Sequence, residues 1–103
     1  MSGFELEIRL RLHAGNGYRI SGWRGVCSFD GVVAPGGETI YGCEITLSGA
    51  DRIEPGEEAR ASLRFWVPLT YAPGLAPGVR VHLLESDIEV ASGVVLAVSD
   101  GGS

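Results

Sequence analysis

Lysine is absent from all 103 residues, and three kinds of chemistry go with it. A Walker-type phosphate loop needs its lysine, Schiff-base catalysis needs a lysine amine, and a serine–lysine dyad needs its base. Cysteine is scarce, and Cys27 with Cys43 allows at most one disulfide. The first residues show neither the basic start nor the continuous apolar run of an export signal. A cytoplasmic location and two reduced, buried thiols are therefore expected. Long apolar runs are missing too; residues 94–98 are the longest strongly apolar stretch, far short of the about 20 residues a spanning helix needs, so membrane insertion is not expected.

Metal-ligand spacing is also lacking. His13, Cys27, Cys43 and His82 are all more than ten residues apart, whereas zinc ligands usually come in pairs two to five apart, so no metal or other cofactor is expected and both histidines read as solvated surface residues. There is no Gly-x-Ser-x-Gly elbow. A hydrolase built on Cys27 and a histidine is the one catalytic arrangement that spacing leaves open, because such partners meet only in space. The carboxylates fall mostly on outer strand faces or beside turns, where charge serves solvation, and no pair stands out. The chain reads as a non-enzyme.

Positive charge is in short supply. Eight arginines face thirteen acids, for a net charge of −5. Nonspecific nucleic-acid affinity comes mainly from neutralising phosphates, so only a local arginine patch would serve RNA.

What the sequence has in abundance is glycine, sixteen residues without a collagen repeat. Only glycine takes positive φ at no steric cost, so this content signals many tight turns between short strands. Residues 4–13 alternate without error, with Phe4, Leu6, Ile8, Leu10 and Leu12 on one face and Glu5, Glu7, Arg9, Arg11 and His13 on the other. Period two over ten residues predicts a strand. Ala14-Gly15-Asn16-Gly17 breaks it, and a short strand is predicted at 26–29. Alternation returns over 40–48, with Tyr41, Cys43, Ile45 and Leu47 inward. Glu54-Pro55-Gly56-Glu57 predicts a turn, since proline presets φ and glycine accepts the positive value that a type II turn requires. Ala59, Ala61, Leu63, Phe65 and Val67 then share one face, and Trp66 stands out on the polar side. Further strands are predicted at 79–85 and 88–98, joined at Ser86-Asp87. Such a set of strands without an amphipathic helix reads as one all-β domain over residues 1–103, and a barrel leaves no open edge to protect. Phe4, Leu6, Ile8, Leu10, Leu12, Leu63, Phe65, Val81, Leu83 and Val94 are expected to share its core.

The segment Gly17-Tyr18-Arg19-Ile20-Ser21-Gly22-Trp23-Arg24-Gly25 reads as a loop or irregular strand. Its aromatic and arginine side chains suit stacking and phosphate contact, and the same types anchor protein interfaces. They can equally cap the core and pair with neighbouring acids. Trp66 and Leu84, on otherwise polar faces, can form an apolar contact patch or lie under a loop.

Short motifs across most of the chain resemble one known family. The Glu54-Pro55-Gly56-Glu57 turn leading into residues 59–68 resembles the Pro-Gly turn, alternating strand and proline of the C-terminal, third domain of elongation factor Tu. Pro77-Gly78-Val79-Arg80-Val81-His82-Leu83-Leu84-Glu85 resembles its glycine–hydrophobic–arginine strand. Residues 88–98, with Val90, Ala91, Ser92, Gly93, Val94 and Val95, resemble its closing strand, and Phe4-Glu5-Leu6-Glu7 its opening one. The resemblance implies a six-stranded antiparallel closed barrel of Greek-key type, used in that family as a docking surface for proteins and RNA. It brings no GTP-binding domain, so no GTP binding is expected. The family's Gly-Arg-His-Thr segment, near its aminoacyl-tRNA contact, is replaced here by Gly15-Asn16-Gly17-Tyr18-Arg19. The resulting expectation is a stand-alone, non-catalytic barrel that docks a protein through Tyr18, Arg19, Trp23, Arg24 and Trp66. The alternative is an RNA-binding module using Tyr18, Arg19, Trp23 and Arg24.

Overall fold

Alternation alone commits the first strand. In β1 (Phe4–Leu12) all five apolar side chains are at most 2% exposed, because a strand sends successive side chains to opposite faces. The structure, a computed structural model, describes residues 3–15 and 17–100. Met1, Ser2 and Asn16, which entered the reading of the N-terminus and of the first break, lie outside the described residues.

Five further strands, β3 (Trp23–Phe29), β4 (Tyr41–Leu47), β6 (Glu58–Phe65), β7 (Arg80–Glu85) and β8 (Ile88–Ser99), join β1 in a closed barrel. The order is β1-β6-β4-β3-β7-β8, and every neighbouring pair is antiparallel. Two short strands, β2 (Arg19–Ile20) and β5 (Arg52–Ile53), pair separately as a small ribbon. Among the described residues there is no α-helix, only a 3₁₀ turn at Leu69–Tyr71.

The core is apolar throughout. Phe4 stacks on Phe65 with ring centroids 4.4 Å apart, and Phe29 and Tyr41 tilt against the same cluster. No buried polar side-chain atom among the described residues lacks a hydrogen-bond partner. Cys27 and Cys43 are free thiols facing each other in this interior. Burial pushes the Cys27 thiol well above its ordinary value, and its hydrogen bond to Cys43 adds to that. A thiol so held is not a ready nucleophile.

The turns follow their residues. Gly56 takes a φ of 86°, and the Glu57 amide closes on the Glu54 carbonyl at 3.0 Å. Ser86 and Asp87 both adopt positive φ, 51° and 68°, which is the twist a two-residue hairpin needs.

Two expectations need correction. Val94 does not join the core; it is half-buried on the outer side, between Arg9 and Arg80, and Val95 takes the interior place at 1% exposed. The cause is a pair of bulges in β8. Leu96 is extra opposite the step from Glu7 to Ile8, and Val90 is extra opposite the step from Leu83 to Leu84. Each bulge inverts the parity of the strand beyond it. Second, β3 begins at Trp23, not at Val26. Trp23 pairs with Ile45, Arg24 with Glu44 and Gly25 with Cys43, so of the two readings, loop or irregular strand, residues 23–25 are strand and extend β3 by three residues. Glycine at 22 and 25 had masked the pattern.

Candidate docking groove

Beyond β6 the chain turns at Pro68 into the 3₁₀ turn, and this return makes a groove against β4. The Tyr41 hydroxyl donates to the Tyr71 carbonyl at 2.7 Å, and Ala72 is buried behind it, which fixes the turn. The groove has a volume of about 390 Å³ and is lined by Ile40, Tyr41, Gly42, Trp66 and Tyr71, with Glu38 the only charged residue among the described ones that line it. Ile40, Trp66 and Tyr71 are 54%, 45% and 47% exposed. A concentration of large apolar side chains in water at one place is the unusual feature, since single exposed ones are ordinary.

Gly42 forms part of the groove lining. It lies on β4 two residues before Glu44, which pairs with Arg64, while Trp66 lies two residues after Arg64. A Cβ built at Gly42 would meet nothing within 4 Å. Any larger residue there would fill the space beside Trp66. At one edge the Arg24 guanidinium lies 5.5 Å from the Trp66 ring centroid, within cation–π range. Glu38 makes no ion pair among the described residues. Burial, then Cys27 and the Glu38 carboxylate, raise the Tyr41 hydroxyl above its ordinary value, so it stays a protonated donor.

The five residues singled out from sequence divide. Arg24 and Trp66 meet at this groove. Tyr18 lies elsewhere, with the Arg52 guanidinium 4.1 Å from its ring centroid. Arg19 is engaged by Glu85 at 2.7 and 2.8 Å and also donates to the carbonyls of Gly17 and Tyr18. Its segment is tied down, with the Ser21 amide donating to the Asp51 carbonyl and the Leu47 amide to the Ser21 hydroxyl. Trp23 is half-buried against the core. Leu84 is half-buried and paired with Val26. Sequence reasoning missed Ile40, Gly42 and Tyr71, whose shared location depends on the barrel order; the only local signal was an apolar or aromatic residue beside a turn.

The two histidines, expected as solvated surface residues, keep 34% and 25% of their side chains exposed but share carboxylate partners. His13 Nε2 lies 2.6 Å from Glu89 Oε2, His82 Nδ1 lies 2.8 Å from Glu89 Oε1, and His82 Nε2 lies 2.9 Å from Asp30 Oδ1. Both His82 contacts are hydrogen bonds only when the imidazole carries two protons, because the neutral ring has one N–H. Burial raises the Glu89 carboxyl, but the hydrogen bonds and charges of the two histidines outweigh it and hold the group below its ordinary value. No group of three or more histidine, cysteine or acidic residues among the described residues has the geometry to hold a metal ion. No helix among them is long and apolar enough to cross a membrane.

Compared with models of known protein families and with curated protein sequences, the chain matches none.

Proposed function

We propose that this barrel is a non-catalytic docking module, and that its partner is a protein segment presenting an apolar side chain next to a basic one. The observation that carries this reading is the joint exposure of Ile40, Trp66 and Tyr71 around Gly42. Tryptophan and tyrosine supply the anchors of many interfaces. Glu38 has no cation of its own among the described residues, and the chain carries a net charge of −5. Both favour a basic partner over an acidic one. The resemblance to the third domain of elongation factor Tu supports the reading, since that barrel serves as a docking surface. RNA binding through Tyr18, Arg19, Trp23 and Arg24 is the weaker proposal, because Glu85 already occupies the Arg19 fork.

The test compares three variants. Gly42→Leu places a side chain in open space at a residue without positive φ, so the fold should survive while retention of the partner from source-cell extract is lost. Trp66→Ala should weaken binding by more than about 2 kcal/mol with little loss of stability. Trp23→Ala should do the reverse, lowering stability by about 3 kcal/mol and leaving affinity intact. Binding unchanged in Gly42→Leu would sink the groove, and steep loss of wild-type binding with added salt would favour RNA.

A further inference from the structure

Half of the chain's arginines converge on one outer face, away from the groove. In one row across the sheet, Arg60 of β6 pairs with Arg9 of β1, Arg9 with Val94 of β8, and Val94 with Arg80 of β7. In the next row, Arg11 of β1 stands beside Ser92 of β8, which stands beside His82 of β7. Like charges directly opposite one another destabilise a strand pair. Arg9 beside Arg60 is such a pair, in a chain rich in acids that could have separated them.

The internal partners do not account for all four. Arg60 is held by Glu7, and Arg11 by the Gly56 carbonyl at 2.9 Å and more loosely by Glu58 at 3.4 Å. Arg9 and Arg80 make no ion pair among the described residues. Both line a cleft of about 240 Å³, together with Arg11, Glu58, Ser92 and Val94. Beneath it β8 presses closely on β1, for a Cβ at Gly93 would fall 1.9 Å from the Arg9 carbonyl oxygen.

Arg9 and Arg80 flank β8 on either side, two strand spacings or about 10 Å apart at the backbone. Two long side chains at that separation can close on one ligand atom group between them. A guanidinium presents paired N–H donors that match the oxygens of a phosphate, and the Ser92 hydroxyl adds a neutral donor. We propose that the cleft over β1, β8 and β7 binds a single phosphate group, clamped between Arg9 and Arg80 with Arg11 and Ser92 beside it. The volume is below the range of pockets that enclose a drug-sized ligand, which fits a phosphate and a few attached atoms. No aromatic side chain among the described residues lines it, so those residues offer no stacking surface for nucleic-acid bases.

The test is amide chemical-shift titration of the full chain at low ionic strength with inorganic phosphate, glycerol phosphate and a single-stranded RNA oligonucleotide. Saturable shifts centred on Arg9, Ser92 and Arg80 with phosphate support the site; tighter binding of glycerol phosphate than of inorganic phosphate assigns the source to a phosphate ester, and the reverse to the free ion. Arg9→Ala and Arg80→Ala should each weaken binding by roughly tenfold or more, as loss of a charge-assisted contact implies. Arg64→Ala, outside the cleft, should leave it unchanged. Arg9→Ala should also melt no lower than wild type, because it relieves the repulsion with Arg60; a lower midpoint would make Arg9 a structural residue and overturn the proposal. Absence of saturation, equal weakening by Arg64→Ala, or tighter binding of the RNA than of either phosphate would overturn it as well.

Discussion

Arg19 grips Glu85 with two contacts, Nε to Oε2 at 2.8 Å and Nη2 to Oε1 at 2.7 Å, and so ties the β2–β5 ribbon to the end of β7. The two side chains are 19% and 35% exposed, which spares the pair part of the screening that weakens surface ion pairs. Arg19→Ala should cost about 1 kcal/mol and lower the melting midpoint by about 5 °C. Arg19→Lys should recover little of this, since an ammonium cannot reproduce the fork. A midpoint unchanged in both variants would show that the ribbon is held by its backbone bonds alone.

The bulges of β8 decide which of two adjacent valines faces inward. Val95→Ala removes two buried methyl groups and should cost about 2 kcal/mol. Val94→Ala, on the outer row between two arginines, should cost less than about 0.5 kcal/mol. Equal losses in denaturant unfolding would contradict the register. Leu63→Ala, fully buried, should exceed both at about 2–5 kcal/mol.

Acid stability should report on Glu89. The folded protein holds this carboxyl below its ordinary value of 4.5 through His13 and His82, so the unfolded chain takes up the proton more readily. The stabilisation is complete above about pH 4.5 and is lost as the pH falls through the folded-state value. Asp30 contacts the other ring nitrogen of His82, at 2.9 Å. Glu89→Gln should remove this contribution, leaving a flatter acid limb in a profile of unfolding free energy against pH. An acid limb as steep as that of wild type would place the titration elsewhere.

Much of the barrel was legible residue by residue. The perfect alternation of residues 4–13 determines β1 and its inward face, because the two sides of a strand have period two whatever the strand pairs with. The Pro55-Gly56 and Ser86-Asp87 turns are equally local, fixed by which backbone angles those residues accept. The inward faces of β4 and β6 followed in the same way.

Only the tertiary structure decided where parity changes and what meets across the sheet. A bulge depends on how two strands fit, so the exchange of Val94 for Val95 leaves no mark in β8 alone. Trp23 to Gly25 became sheet because Ile45, Glu44 and Cys43 stood ready to pair, outweighing a glycine-broken pattern. Gly42 lies far in sequence from Trp66 and Tyr71, and the three meet only through the β6–β4 pairing and the return of the 3₁₀ turn. Arg9, Arg60 and Arg80 likewise come from three strands that closure brings into one row. Strand formation depends on near neighbours in the chain, whereas the apolar groove and the arginine cleft depend on strand order, which no short stretch of sequence contains.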